Sequence, residues 1–133
     1  MASNFFNSPL RTFVFDSTGN DSNQVANQYL VVKLVTGTVN HVSLATSATD
    51  PIVGTLNNGP KSTDVADVVL SNAQGSYLVS AGGTIAIGDL LTVDSTSRAL
   101  TTTTTGNVCF GRALQAASAG DVFEYEPIFL IHA

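Results

Sequence analysis

The sequence predicts an all-β protein: a single compact β-barrel or β-sandwich domain with an extended N-terminal arm. Val and Thr are abundant, and these β-branched side chains favour strands. Charged helix formers are scarce, with only 5 Lys+Arg in 133 residues, so an exposed helix would have little to place on its outer face. Many short apolar runs with turn signals between them are typical of a barrel or sandwich.

Length and composition limit the functional classes. A chain of 133 residues suits one domain. Charged residues make up 11% and hydrophobic residues 44%, which argues against a disordered chain. The net charge of -5 gives no basic surface for nucleic acid, so we expect no nucleic-acid partner. One cysteine excludes a disulfide within the chain and a multi-cysteine zinc site.

The first residues do not resemble a targeting segment. They lack a basic region and a continuous apolar stretch, so we expect no signal peptide. The longest apolar runs are far shorter than the ~20 residues that a membrane-spanning helix needs. We therefore expect no membrane partner.

Residues 1–28 differ from the rest, and we assign them as an N-terminal arm or first strand, with residues 29–133 as the β-domain. The segment is rich in Asn and Ser, whose side chains form hydrogen bonds with nearby backbone groups and so disfavour regular helices and strands. Three interpretations remain: a tail that folds back on its own domain, an arm that docks on another subunit or the capsid, and a first core strand over residues 13–15. The segment carries four of the seven phenylalanines: Phe5, Phe6, Phe13 and Phe15.

Residues 29–35 alternate in a way that predicts a strand with two apolar faces. One face reads as core and consists of Leu30, Val32 and Leu34. The other face is too apolar for open solvent, so another segment or another chain should cover it. Its apolar residues are Tyr29, Val31 and Val35.

Short apolar runs between turn residues predict the later strands. We expect them over residues 39–45, 52–56, 65–70, 77–80, 84–87, 90–94, 98–100 and 123–131. In the last of these, Glu124 and Glu126 share a solvated face, and Pro127 indicates an edge or a bulge. The opposite, buried face should hold Phe123, Tyr125, Phe129 and Ile131. A weak echo of residues 50–70 in residues 108–123 indicates either two similar units closing one barrel or coincidence.

No catalytic constellation is evident. The sequence contains two histidines, His41 and His132, but no Gly-x-Ser-x-Gly motif whose serine either of them could activate as a base. Cys109 lies in a predicted strand without a well-placed cation, which favours a buried inert thiol. Residues 16–27 depart from the calcium-binding loop pattern, and no phosphate-binding glycine loop occurs. We therefore predict no enzyme activity, no cofactor and no metal site.

The second half of the chain resembles a known family. Residues 81–94 place a Gly-Asp turn between two apolar strands, and residues 111–121 read Gly-Arg-Ala-Leu-Gln-Ala-Ala-Ser-Ala-Gly-Asp. This succession resembles the small capsid cement, or head decoration, proteins of tailed bacteriophages. The resemblance covers roughly residues 50–128 and is firmest over residues 81–126.

The resemblance implies a virion structural protein, often trimeric, that binds the outside of an icosahedral head and stabilises it. The implied partners are the major capsid protein and other copies of the chain, with assembly in the host cytoplasm. Residues 1–28 match no family phrase, so no binding residues carry over. The composition of the arm and the second apolar face instead select candidate capsid or subunit contacts: Phe5, Phe6, Phe13, Phe15, Tyr29, Val31 and Val35.

A second function class stays open. A carbohydrate-binding or adhesive β-module of a phage fibre is also rich in Ser and Thr. The absence of Trp and the presence of only 3 Tyr leave few rings to stack on sugars, which favours the cement interpretation.

Overall fold

The computed structural model describes residues 10–16 and 27–133, and these residues form ten β-strands and no α-helix. The all-β prediction is therefore confirmed. The strands are β1 (Leu10–Phe15), β2 (Val31–Leu34), β3 (His41–Leu44), β4 (Ile52–Leu56), β5 (Val65–Leu70), β6 (Tyr77–Ser80), β7 (Leu90–Val93), β8 (Ala99–Thr101), β9 (Val108–Ala113) and β10 (Val122–Ile131).

The first five strands form a closed barrel in the order β1-β3-β2-β4-β5. Strand β1 closes it, because it pairs parallel with β3 and antiparallel with β5. The barrel core contains Phe13 and Phe15 from β1, which are 3% and 0% exposed. Residues 10–15 of the N-terminal segment thus form a strand of the barrel. The boundary that we predict at residue 28 stays a prediction.

The other five strands form a second sheet in the order β6-β10-β9-β7-β8. Its two edges approach each other, since an isolated bridge joins Ala81, just after β6, to Ala99 of β8. The amide of Gly82 donates to the Ala99 carbonyl at 2.8 Å beside this bridge. A second apolar core lies inside this curved sheet and includes Phe110, Phe123 and Tyr125.

Strand β2 contributes to both cores, which explains its two apolar faces. Val32 belongs to the barrel core, whereas Val31 belongs to the core of the second sheet, and both are 0% exposed. The Val31 amide also donates to the Ser97 carbonyl at 2.8 Å. The cover for the second face of β2 at Val31 is thus another segment of the same chain. The core assignment of Leu34 is wrong, because this last residue of β2 is 42% exposed.

The inward and outward alternation of the β10 side chains reverses halfway along the strand. Its register against β9 shifts between Pro127 and Leu130, so the bulge indicated by Pro127 is confirmed. Phe123 and Tyr125, before the shift, are buried as predicted. The burial predicted for the two later residues is wrong, because the extra residue turns them outward: Phe129 is 57% and Ile131 is 52% exposed.

The second sheet contains an internal repeat that pairs with itself. Residues 81–93 and 113–125 have the same order of bridge, Gly-Asp turn and strand. Ile85 and Ala117 exchange amide-to-carbonyl bonds of 2.8 and 3.0 Å across a local two-fold axis. The strand predicted over residues 84–87 is therefore wrong, since Ile85 forms only this isolated bridge. The echo between residues 50–70 and 108–123 joins strands of different sheets, so it does not mark two units of one barrel.

The two Gly-Asp turns of the repeat are built alike. Gly88 and Gly120 have φ of 89° and 90°, a region that favours glycine. The Asp89 carboxylate accepts the Ala86 amide at 2.9 Å, and the Asp121 carboxylate accepts the Ser118 amide at the same distance. Each turn therefore satisfies its own backbone donor with its own acidic side chain, which holds both turns in one shape.

A buried hydrogen bond connects the barrel to the second sheet. The hydroxyls of Thr55 in β4 and Tyr125 in β10 lie 2.6 Å apart, and both residues are at most 1% exposed. Burial raises the pKa of the Tyr125 phenol, an effect that the hydrogen bond to Thr55 partly opposes. The phenol is therefore held neutral inside the protein.

We expect stability to fall as the pH rises above about 10, because unfolding releases Tyr125 to its ordinary pKa and the unfolded state then loses the proton first. Tyr125→Phe should remove this part of the fall. At neutral pH it should cost about 1 kcal/mol or more, since the Thr55 hydroxyl is left buried without its partner. Urea unfolding across a pH series measures both effects. Tyr29→Phe is the control and should keep the alkaline fall; an unchanged fall in Tyr125→Phe would contradict the assignment.

Candidate interaction surface

The described residues show no catalytic arrangement around either histidine. His41 Nδ1 lies 2.8 Å from an Asp16 carboxylate oxygen, in a pair that is partly open to solvent. His132 lies at the end of the chain, where its backbone pairs with residues 106 and 107. Within residues 10–16 and 27–133, no three His, Cys, Asp or Glu side chains gather as metal ligands would.

Cys109 is buried in β9, as predicted. Burial raises the pKa of its thiol, which disfavours the reactive thiolate. Arg112, on the same strand, is exposed and lies 3.9 Å from Glu126 of β10. The nearby cation therefore has a carboxylate neighbour of its own, and the thiol is a core side chain.

The predicted contact residues occupy different places. Phe13, Phe15 and Val31 are buried inside their own chain, so they are not on a surface that a capsid or another subunit can touch. Tyr29 and Val35 are half-buried. Phe5 and Phe6 lie outside the described residues. Sequence alternation alone could not separate a face covered by the same chain from one left for a partner.

Large apolar side chains are nevertheless exposed at several points of the described surface. The most exposed is Val39, in the β2–β3 turn, at 93%, followed by Ile87, in the first Gly-Asp turn, at 72%. Val65, at the start of β5 in the barrel, is 58% exposed, and most of the others lie on the second sheet and its turns. They include Leu78, Leu100, Leu114, Val122, Phe129 and Ile131.

Charges on this surface are few and mostly engaged. Lys33 and Asp50 lie 3.6 Å apart with both side chains partly open to solvent, and ion pairs that solvent reaches contribute little to stability. Five aspartates accept backbone amides in turns: Asp50, Asp64, Asp89, Asp94 and Asp121. A rigid β surface with exposed apolar side chains and few free charges is suited to contact with another protein.

Residues 60–126 match the family model described as phage cement protein. This range runs from the segment before β5 into β10, so it contains the whole internal repeat. A search of the curated proteins finds no match. No helix among the described residues has the length and apolar character needed to cross a membrane.

The fold is similar to a solved structure, the crystal structure of the head fiber gp8.5 N base in bacteriophage phi29. The match has a TM-score of 0.63 and 21% sequence identity, and it covers 92% of this chain and 98% of the other. The likeness thus extends over the barrel and the second sheet together. Since the family model spans half of the sequence, the chain belongs to the phage cement protein family.

Proposed function

We propose that the protein is a capsid decoration protein that binds the outer surface of an icosahedral phage head and stabilises it. Its partner in this role is the major capsid protein, and its place is the exterior of the virion after assembly in the host cytoplasm. The match of residues 60–126 to the phage cement family carries the proposal. The role is structural, not enzymatic.

The surface that attaches should lie within the part of the chain that the family shares. Inside residues 60–126, the most exposed large apolar side chain is Ile87, on the first Gly-Asp turn. Its turn is held by Gly88 and Asp89 and is braced against the second unit of the repeat. An apolar side chain on a rigid turn loses little conformational freedom when it docks, which favours binding.

A homotrimer is part of the proposal, and it rests on the family resemblance. The sequence pattern of residues 29–35 predicted a second apolar face on β2 that another subunit could cover. That face supports the trimer only weakly, because the same chain covers Val31. The half-buried Tyr29 and Val35 remain available as subunit contacts. Light scattering in solution measures the mass, and a stable monomer that stays monomeric on heads would contradict the trimer.

Cosedimentation with empty heads tests the function. We expect the wild-type chain to bind heads that lack it and to raise the temperature at which they open. Ile87→Asp should weaken binding about 100-fold, because a charge without a partner is costly to bury at an interface. Val39→Asp is the matched control: it changes an even more exposed apolar side chain that lies outside the shared residues, and it should bind normally.

Two outcomes would contradict this assignment. Equal binding by Ile87→Asp and Val39→Asp would show that Ile87 is not part of the attachment surface. Failure of the wild-type chain to bind heads, together with binding to cell-surface glycans, would favour the alternative, an adhesive module of a phage fibre.

A further inference from the structure

Asn58 is the one asparagine in the sequence that is followed by glycine. The side chain of an asparagine is open to attack by the backbone nitrogen of the next residue, and glycine has no Cβ to hinder that attack. In an unfolded chain Asn58 is therefore the most reactive asparagine. In the fold it lies in the connection between β4 and β5, residues 57–64, where Asn58 and Gly59 are both partly buried.

The reaction at such a pair replaces the side-chain amide by an acid. Hydroxide removes the proton from the Gly59 nitrogen, which then forms a bond to Cγ of Asn58. The side-chain nitrogen takes up a proton and leaves as ammonia, so that a five-membered cyclic imide remains. Water adds to one of the two imide carbonyls and opens the ring. The product is aspartate, or isoaspartate, in which the main chain runs through the former side chain.

The fold holds the Asn58 side chain by both of its polar atoms. Nδ2 donates to the Val65 carbonyl at 2.9 Å, and Oδ1 accepts the Asp67 amide at 3.0 Å. The Asn57 amide donates to the Asp67 carbonyl at 2.8 Å. The side chain of Asn58 thus extends the pairing of β4 with β5 beyond the point where backbone bonds alone would end it.

The backbone on both sides of the reactive pair is held as well. Gln28 Nε2 donates to the Asn57 carbonyl at 3.2 Å, and Nδ2 of the fully buried Asn27 donates to the Pro60 carbonyl at 2.7 Å. The reactive pair lies between these two anchored carbonyls. Ring closure turns the side chain toward the next backbone nitrogen, and this movement competes with the bonds that hold the side chain to β5.

We propose that Asn58 is a deamidation site that the native fold keeps closed. The reaction runs in chains whose β4–β5 connection has opened, and it runs slowly in the closed barrel. Two ordinary hydrogen bonds must open before the ring forms, which corresponds to a rate lower by about 10-fold or more. The modification is a property of the single chain and does not depend on capsid binding.

Deamidation prevents the connection from closing again in the same way. A carboxylate at position 58 has no proton to donate, so the Val65 carbonyl loses its partner and faces an acceptor. Isoaspartate also adds one carbon to the main chain of the connection. Asn58→Asp, which reproduces the first product, should therefore lower the urea midpoint of unfolding. Asn72→Asp makes the same change of charge at an exposed asparagine and should leave the midpoint nearly unchanged.

Mass spectrometry of the full chain tests the proposal. One sample is kept folded and the other unfolded in guanidinium chloride, both at mildly alkaline pH. Trypsin then releases Asn58 within residues 34–61 and Asn72 within residues 62–98, and fragmentation shows which asparagine has become an acid. We expect Asn58 to convert about 10-fold faster or more in the unfolded sample. Asn72, exposed but followed by alanine, is the internal control and should convert slowly in both.

Two substitutions separate the chemistry from the protection. Gly59→Ala places a Cβ on the attacking residue and should slow conversion in the unfolded chain to the rate of Asn72. Gln28→Ala removes one anchor of the connection and should speed conversion in the folded chain. Gln74→Ala is its matched control, because it removes an exposed glutamine from the β5–β6 connection instead, and it should leave the rate unchanged.

Three results would overturn the proposal. Equal rates in the folded and unfolded samples would show that the bonds to β5 give no protection. A faster reaction in the folded sample would show that the Asp67 amide promotes the attack by stabilising negative charge on Oδ1. A lack of conversion of Asn58 in the unfolded sample would show that it is not a modification site.

Discussion

Deletion of residues 1–16 is expected to abolish folding. The deletion removes β1, which closes the barrel between β3 and β5. It also removes the buried rings of Phe13 and Phe15. Truncating one buried phenylalanine costs about 3–5 kcal/mol, and a whole domain is stable by only about 5–15 kcal/mol. Loss of both rings and of two strand pairings therefore exceeds the available stability.

Circular dichroism and urea unfolding measure this result. The matched control is deletion of residues 1–9, which keeps β1 intact and should leave a cooperative transition. A chain without residues 1–16 that still unfolds cooperatively would show that β1 is dispensable, and the N-terminal segment would then be an arm along its whole length.

Gly54→Ala is the second substitution with a large expected effect. Gly54 lies in β4, in the middle of the barrel, where it pairs with Leu70 of β5 and Val32 of β2. A Cβ at this position would overlap the carbonyl oxygen of Val69, which is a backbone atom and cannot rotate away. One strand must shift to make room, and we expect a loss of about 3 kcal/mol or more.

Gly37→Ala is its control, because a Cβ at Gly37 meets nothing within 4 Å. We expect this change to alter stability by less than about 0.5 kcal/mol, as is usual for surface substitutions. Thermal unfolding of the two variants side by side gives the comparison. Equal melting temperatures would mean that the β4–β5 pairing yields easily, contrary to the close approach at Gly54.

Local rules were enough to predict most of the strands. The β-branched composition and the turn residues between apolar runs placed nine of the ten strands near their observed positions, and they also identified residues 13–15 as a possible strand. The exception to the strand predictions was residues 84–87, where the chain makes one bridge instead of a ladder. Such a bridge depends on Ala117, which is distant in sequence and carries no local signal.

The candidate surface was harder to predict because it depends on which faces the chain covers itself. Val31 looked available to a partner, yet the second sheet covers it. Phe129 looked buried, yet the bulge after Pro127 turns it outward. The position of Pro127 indicated a bulge, but the number of residues it adds to the strand, and hence the phase beyond it, is set by pairing with β9. Sequence periodicity carries no information on that register.

The self-paired repeat of the second sheet also bears on exchange between molecules. Residues 81–93 and 113–125 bond to each other through matching amides and carbonyls, so either unit could be satisfied by its counterpart from another copy. The intervening residues 94–112 keep the two units of one chain at high effective concentration, which favours the intramolecular pairing. When the protein is refolded from denaturant at high concentration, units of other chains compete with the unit of the same chain. We then expect domain-swapped dimers as the main misassembled product.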